Sequence, residues 1–329
     1  MLRGICCILC IAGAALAAIG PNADATAQPR MHNATAGEAE VRAYPLPFHY
    51  DLYTFRGDGG STTVVASFAV PAGRLESEDV AYGVRYRFDV SLVLADTALR
   101  SVFRTDDSVY VGFTRPLARE HLLYTQLEVQ ARPSRSTVQR VIVTDATRPG
   151  VGQLYDAAFP IPDYSGAGLM VSDIALGQPE ATAGWKRGDI TLALLPTSLF
   201  PTSAFDVYYE IYNLPAGRHY VTEIAVARAD ELAGLWSGDR AAVRLRFSDE
   251  SFARDGVVPE LRRVDTSLGR GRYRITVRVT DEETGASASA SRYFDVRGWE
   301  RGTTLVPAWP RARGSGVRAR ASGRSYVVR

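Results

Sequence analysis

The sequence predicts an all-β protein: two tandem antiparallel β-sandwich domains of the immunoglobulin-like kind, behind an export leader. Three observations carry this. Apolar and polar residues alternate with period two in run after run, the pattern of half-buried strands and not of helices. Turn residues punctuate the runs, and a Pro/Gly-rich stretch divides them into two series of about seven strands each. Finally, 329 residues exceed the roughly 250 at which a single core stops growing.

Residues 1–27 read as a signal peptide. Arg3 supplies the positive start, Ile5 to Ile19 is an apolar run, Gly20-Pro21 ends it, and Ala23-Asp24-Ala25 or Ala25-Thr26-Ala27 offers the small-x-small cleavage pattern. The run falls short of the ~20 residues a bilayer-spanning helix needs, so cleavage is expected rather than anchoring. No other stretch is apolar enough to span a membrane. All three cysteines, Cys6, Cys7 and Cys10, lie in this leader, so the mature chain is expected to have no disulfide, thiolate metal site or cysteine nucleophile.

Residues 28–43, small and polar with Pro29, Asn33 and Gly37, read as a flexible linker. The first sandwich is expected over 44–148. Early runs lie at Tyr50–Phe55 and Val64–Val70, separated by Gly57-Asp58-Gly59-Gly60. Tyr82, Val84, Tyr86, Phe88, Val90, Leu92 and Leu94 then alternate with mostly polar neighbours, followed by Val109–Phe113, Leu123–Val129 and Val141–Val143. Pro149, Gly150, Gly152, Pro160 and Pro162 mark 149–165 as an exposed interdomain linker.

The second sandwich is expected over 166–298. Leu169–Leu176 and Ile190–Leu195 are short apolar runs. Val207, Tyr209 and Ile211 alternate with Tyr208, Glu210 and Tyr212. Tyr220–Val226 follows a Pro215-Ala216-Gly217 turn. Leu245 and Phe247 alternate with Arg244 and Arg246, and Ile275 and Val277 with Arg272, Arg274 and Arg278. A last run ends at Val296. Asp230 to Leu235 is one modest helix candidate. Residues 299–329 hold six arginines from Arg311 onward and no acid after that point, and read as a disordered basic tail. With that tail set aside the folded part is slightly acidic, which argues against a nucleic-acid partner.

Gly271-Arg272-Tyr273, Asp281, Gly285 and Phe294-Asp295-Val296 resemble the closing hairpin of bacterial immunoglobulin-like domains. More widely, Ala167 to Ile174 and Phe205 to Leu214 resemble the β-rich region of bacterial GWxTD-domain proteins. That resemblance implies an exported β protein with a two-sandwich layout and carries over no active residues. Gly298-Trp299-Glu300-Arg301-Gly302 keeps only the first two residues of the motif that names the family.

No catalytic, metal or cofactor signature is present. His32, His49, His121 and His219 have no metal-ligand spacing, and no G-x-S-x-G elbow occurs. Asp106-Asp107, Asp249-Glu250 and Asp281-Glu282-Glu283 read as solvated turn acids. Two surface features remain. Arg244, Arg246, Arg272, Arg274 and Arg278 project from the polar faces of two strands; sharing a sheet, they form a basic patch for an anionic glycan or carboxylates, and otherwise they pair with Asp206 and Glu210. Tyr208, Glu210 and Tyr212, with Tyr220, form an outward aromatic and acidic cluster suited to a carbohydrate, an envelope protein or the other domain. The expected function is a non-catalytic binding or scaffolding protein of the cell envelope, in the periplasm or at the surface. The alternative is a secreted glycan or peptide hydrolase.

Overall fold

The computed structural model describes residues 45–98, 101–179, 184–198, 200, 204–229, 241–265, 268–297, 304–308 and 326–328. The expected signal peptide, the polar segment expected after it, the helix expected at Asp230–Leu235 and most of the expected basic tail lie outside these residues. Within them the chain is all-β, with no α-helix and none long and apolar enough to cross a membrane.

The first series of strands is β1 His49–Arg56, β2 Thr62–Pro71, β3 Ser77–Val80, β4 Gly83–Asp96, β5 Ser101–Phe113, β6 Leu122–Ala131, β7 Thr137–Asp145 and β8 Gly152–Ala158. The second is β9 Met170–Val171, β10 Ala175–Pro179, β11 Trp185–Arg187, β12 Ile190–Leu194, β13 Phe205–Tyr212, β14 His219–Arg228, β15 Val243–Glu250, β16 Val257–Val264, β17 Gly271–Asp281 and β18 Ser287–Val296. Two short strands follow, β19 Leu305–Pro307 and β20 Tyr326–Val328.

These strands make four sheets. One has the order β20-β5-β4-β7-β8, with β3 beside β4, and faces a second of order β1-β2-β6-β19. Val64, Phe68, Phe88, Leu92, Leu123 and Val141 lie in the core between them. The third sheet is β11-β12-β10-β13-β16, with β9 beside β13, and the fourth is β15-β14-β17-β18. Val207, Ile211, Ile224, Ile275, Val277 and Phe294 fill that second core. The expected core residues Val207, Tyr209, Ile211, Ile275 and Val277 are buried there, while Leu245 and Phe247 are half-buried at its margin.

The two sandwiches also pack against each other through their inner sheets. Tyr53, Phe55 and Val65 meet Trp185, Leu192 and Tyr208 in a third apolar layer, with Phe55 stacked on Trp185 at 5.0 Å. Every residue of β13 is consequently buried, on both faces. Each large ring buried here contributes on the order of 1.5–3 kcal/mol.

Several expectations change. The stretch 149–165 is not an exposed linker: β8 lies inside it and pairs with β7, while Phe159, Ile161 and Tyr164 are buried. Residues 299–329 are not wholly a tail, because β19 adds a parallel strand to β6 of the first sandwich. The strand β16 escapes the sequence pattern because Pro259 interrupts it; β16 lies at a sheet edge, where a missing N–H is tolerated. Asp106 and Asp107 sit within β5, not in a turn.

Candidate functional site

The two residue groups singled out from sequence have opposite fates. Tyr208, Glu210 and Tyr212 face the first sandwich, not solvent, and all three are buried. Alternation along β13 put them on one face correctly; the inner sheet of the first sandwich covers that face. The Glu210 carboxylate accepts hydrogen bonds from Tyr208 Oη at 2.7 Å and Tyr212 Oη at 2.6 Å. Arg187 on β11 completes a fork to it, with Nε at 2.7 Å and Nη2 at 3.0 Å. Arg187 Nη2 also reaches the Arg56 carbonyl at 2.7 Å, and the Arg56 guanidinium lies 4.2 Å over the Tyr212 ring. Burial, then the Glu210 charge, raises the pKa of both phenols, so they stay neutral donors. Tyr220 is likewise buried, in the second core, donating to Glu260. This network is an interdomain joint and leaves no surface cluster for a ligand.

A second joint was not legible beforehand. Arg292 on β18 points inward and crosses to the first sandwich. Its Nη1 donates to Asp51 Oδ1 at 2.8 Å and its Nη2 to the Leu52 carbonyl at 2.8 Å and to Asp173. Its guanidinium lies 4.2 Å over the Tyr53 ring. Burial alone would lower the Arg292 pKa, but Asp173 and Asp51 outweigh it and the group stays cationic. The signal that could have found it is phase: Arg292 occupies a core-facing position of β18, in register with the buried Ile275.

The arginines lie on the outer side of one sheet. Pairing of β15, β14, β17 and β18 places Arg244, Arg246, Arg272, Arg274 and Arg278 on one outer sheet face. Arg246, Glu223, Arg278 and Ser289 form one cross-strand row, and Arg244, Ala225, Thr276 and Ser291 the next. None of the five pairs with Asp206 or Glu210, which are held by Arg263 at 3.8 Å and by Arg187. Their own acids are loosely placed: Arg246 is 3.4 Å from Glu223 and Arg272 is 3.9 Å from Asp295. Among the described residues Arg244 has no ion-pair partner. The Arg246 and Arg272 side chains are 69% and 52% exposed, so these contacts contribute little to stability. Arg272 and Arg274 flank the Tyr293 ring at 5.2 and 5.9 Å.

Two places come nearest to catalytic geometry. On the second sandwich Asp249 and Glu260 are bridged by Arg262, whose Nη2 is 2.5 and 2.6 Å from them. Arg262 fills the space a substrate would need. At the start of β1, His49 Nδ1 lies 3.4 Å from Ser198 Oγ. Burial, then the Arg297 charge, holds His49 down to about 4. No cluster of three metal-ligating side chains occurs among the described residues.

No protein-family model matches the chain, and no curated protein matches it. Among solved structures the chain is similar to a calcium-binding mutant of Bacteroides uniformis β-glucuronidase 2, with TM-score 0.27 and 9% identity over 75% of this chain and 28% of that one. It is also similar to red sea bream transglutaminase, with TM-score 0.21 and 12% identity over 75% and 31%. The serine-rich repeat protein Srr2 of Streptococcus agalactiae gives TM-score 0.24 and 9% identity over 75% and 92%. The chain thus spans under a third of the first two, and likenesses at this level leave function to be argued from the site.

Proposed function

We propose that the chain is an exported, non-catalytic binding or scaffolding protein of the cell envelope, and that the outer arginine face of the second sandwich binds an anionic partner. The observation that carries this is the gathering of five arginines on one outer sheet face, Arg244, Arg246 and Arg272 exposed and Arg274 and Arg278 half-buried, where the facing acids are Glu223, Asp295 and, at the far end, Glu250. Arg246 and Arg272, held by long and solvent-screened ion pairs, can trade them for a ligand's carboxylates, and a face on which guanidiniums outnumber carboxylates steers anions toward it. The leader pattern and the resemblance to exported GWxTD-domain proteins support the envelope location.

The competing reading, a hydrolase, has the His49–Ser198 contact as its best constellation. A general base works best with a pKa near the working pH, and one held down to about 4 is a poor proton acceptor. The test is a pull-down from envelope extract with the wild-type chain and with Arg244, Arg246, Arg274 and Arg278 changed to Ser, run beside a hydrolase substrate panel. Anionic material retained only by the wild type supports the reading. Turnover abolished by His49→Ala overturns it.

A further inference from the structure

The outer face has a direction and an end. Arg272, Arg274 and Arg278 follow one another on the same side of β17, and Arg270 stands just before the strand. At ~3.3 Å per residue, Arg270 and Arg278 are about 26 Å apart along it. Arg244 and Arg246 run alongside on β15, two strands away, at about 10 Å. On β14 between them lie Ala225, beside Arg244, and Glu223, between Arg246 and Arg278.

At the Arg270 end the surface dips into an open depression of about 390 Å³, lined by Arg270, Gly271, Asp295, Val296 and Arg297. Arg270 has no ion-pair partner among the described residues. Arg297 is 3.6 Å from Asp295, the same carboxylate that Arg272 approaches at 3.9 Å. One acid is thus shared loosely by two cations, with a third beside them. Gly271 sits at φ +154°, and a side chain there would meet the Arg228 guanidinium at 3.0 Å, so only glycine fits beside that guanidinium.

The rest of the face separates two kinds of anionic partner. A protein interface is anchored by large apolar or aromatic side chains at its centre. Among the described residues the exposed large hydrophobics, Val80, Tyr82, Tyr110, Phe252 and Leu261, all lie off this face. The outer positions beside the arginines carry hydroxyls instead: Thr276 and Ser289 among them, and Thr280 and Ser287 just beyond Arg278. Hydroxyls, spaced cations and the half-buried Tyr293 ring suit a chain of sugars bearing carboxylates. The hydroxyls exchange hydrogen bonds with sugar hydroxyls, each guanidinium takes a carboxylate in a fork, and the ring packs against the C–H face of a pyranose.

We propose that this strip binds a linear carboxylated polysaccharide lengthwise along β17, with a terminal acidic sugar seated between Arg270 and Arg297 and its hydroxyls donating to Asp295. The proposal rests on the anion-binding role given above to the arginine face.

The test is calorimetric titration of the full mature chain with tetragalacturonate. Poly-glutamate serves as the acidic polypeptide and maltotetraose as the neutral sugar. Tetragalacturonate is expected to bind, to weaken as salt rises, and to lose about ten-fold in affinity in the Arg270→Ala/Arg297→Ala double variant. Free galacturonate is expected to compete, and to stop competing in that variant. Thermal melts confirm that each variant is folded. If the double variant binds tetragalacturonate as tightly as wild type while Arg274→Ala/Arg278→Ala does not, the terminal seat is wrong and the anion-binding face stands. If poly-glutamate binds and tetragalacturonate does not, the polysaccharide is wrong and the face again stands. If neither binds at low salt, both fall.

Discussion

Arg292, on the last strand of the second sandwich, donates to Asp51, on the first strand of the first sandwich, across 2.8 Å in an interior closed to solvent. Two residues 241 positions apart therefore hold the sandwiches together. Removing one partner of a buried ion pair is far costlier than never having built it, because the other charge is left unpaired.

Arg292→Met should accordingly cost about 3–5 kcal/mol, since it strands both Asp51 and Asp173. Asp51→Asn should cost less, because Thr197 and Arg292 still find a polar partner. Urea unfolding followed by Trp185 fluorescence, which reports the interdomain layer, and by far-ultraviolet dichroism checks this. Coincident wild-type transitions are expected. An unchanged midpoint for Arg292→Met would remove this ion pair from the joint.

The segment 152–165 should resist proteolysis as well as any strand does. Its backbone pairs with β7 and with Ser134, and Phe159 is fully buried. Limited digestion with mass mapping should leave it intact in the first cuts. Early cleavage between Pro149 and Gly168 would restore the exposed linker suggested by its Pro and Gly content.

Truncations in the second sandwich should rank by burial. Ile275→Ala should cost about 2–5 kcal/mol. Phe247→Ala should cost less, roughly 1–3 kcal/mol, because its ring is half-buried under Arg262. Arg246→Ala should stay within about 0.5 kcal/mol. Denaturation midpoints give the order. An Arg246 cost above that of Ile275 would mean the strand register is off by one.

Acid should destabilise the fold through His49. Above pH 6.5 the imidazole is neutral whether the chain is folded or not. Between 6.5 and about 4 the unfolded chain takes a proton that the folded chain declines, so stability falls with pH across that window and levels off below it. The full loss is about 3 kcal/mol. His49→Gln should flatten this part of the stability–pH curve, measured by denaturant titration from pH 7 to 4. A wild-type curve already flat there would contradict the buried neutral imidazole.

Period-two alternation by itself determined the all-β class, the inward set Val207, Ile211, Ile275 and Val277, and the outward side of Arg244 and Arg246 on one strand and of Arg272, Arg274 and Arg278 on another; that the two strands share a sheet, with β14 between them, was decided by the tertiary structure. Only the tertiary structure decided what covers the second face of β13. Tyr208, Glu210 and Tyr212 read equally well as a wet surface or as a dry, satisfied network. The difference lies in Arg187 and the Arg56 backbone, which supply the missing donors and come from other parts of the chain. Arg292 is the same case reversed: a cation at a core position is tolerable only because Asp51 and Asp173 are brought to it by folding. A strand's sequence states how polar each of its faces is. Whether a polar face meets water or a partner depends on long-range packing, since a hydrogen bond to either satisfies the same group.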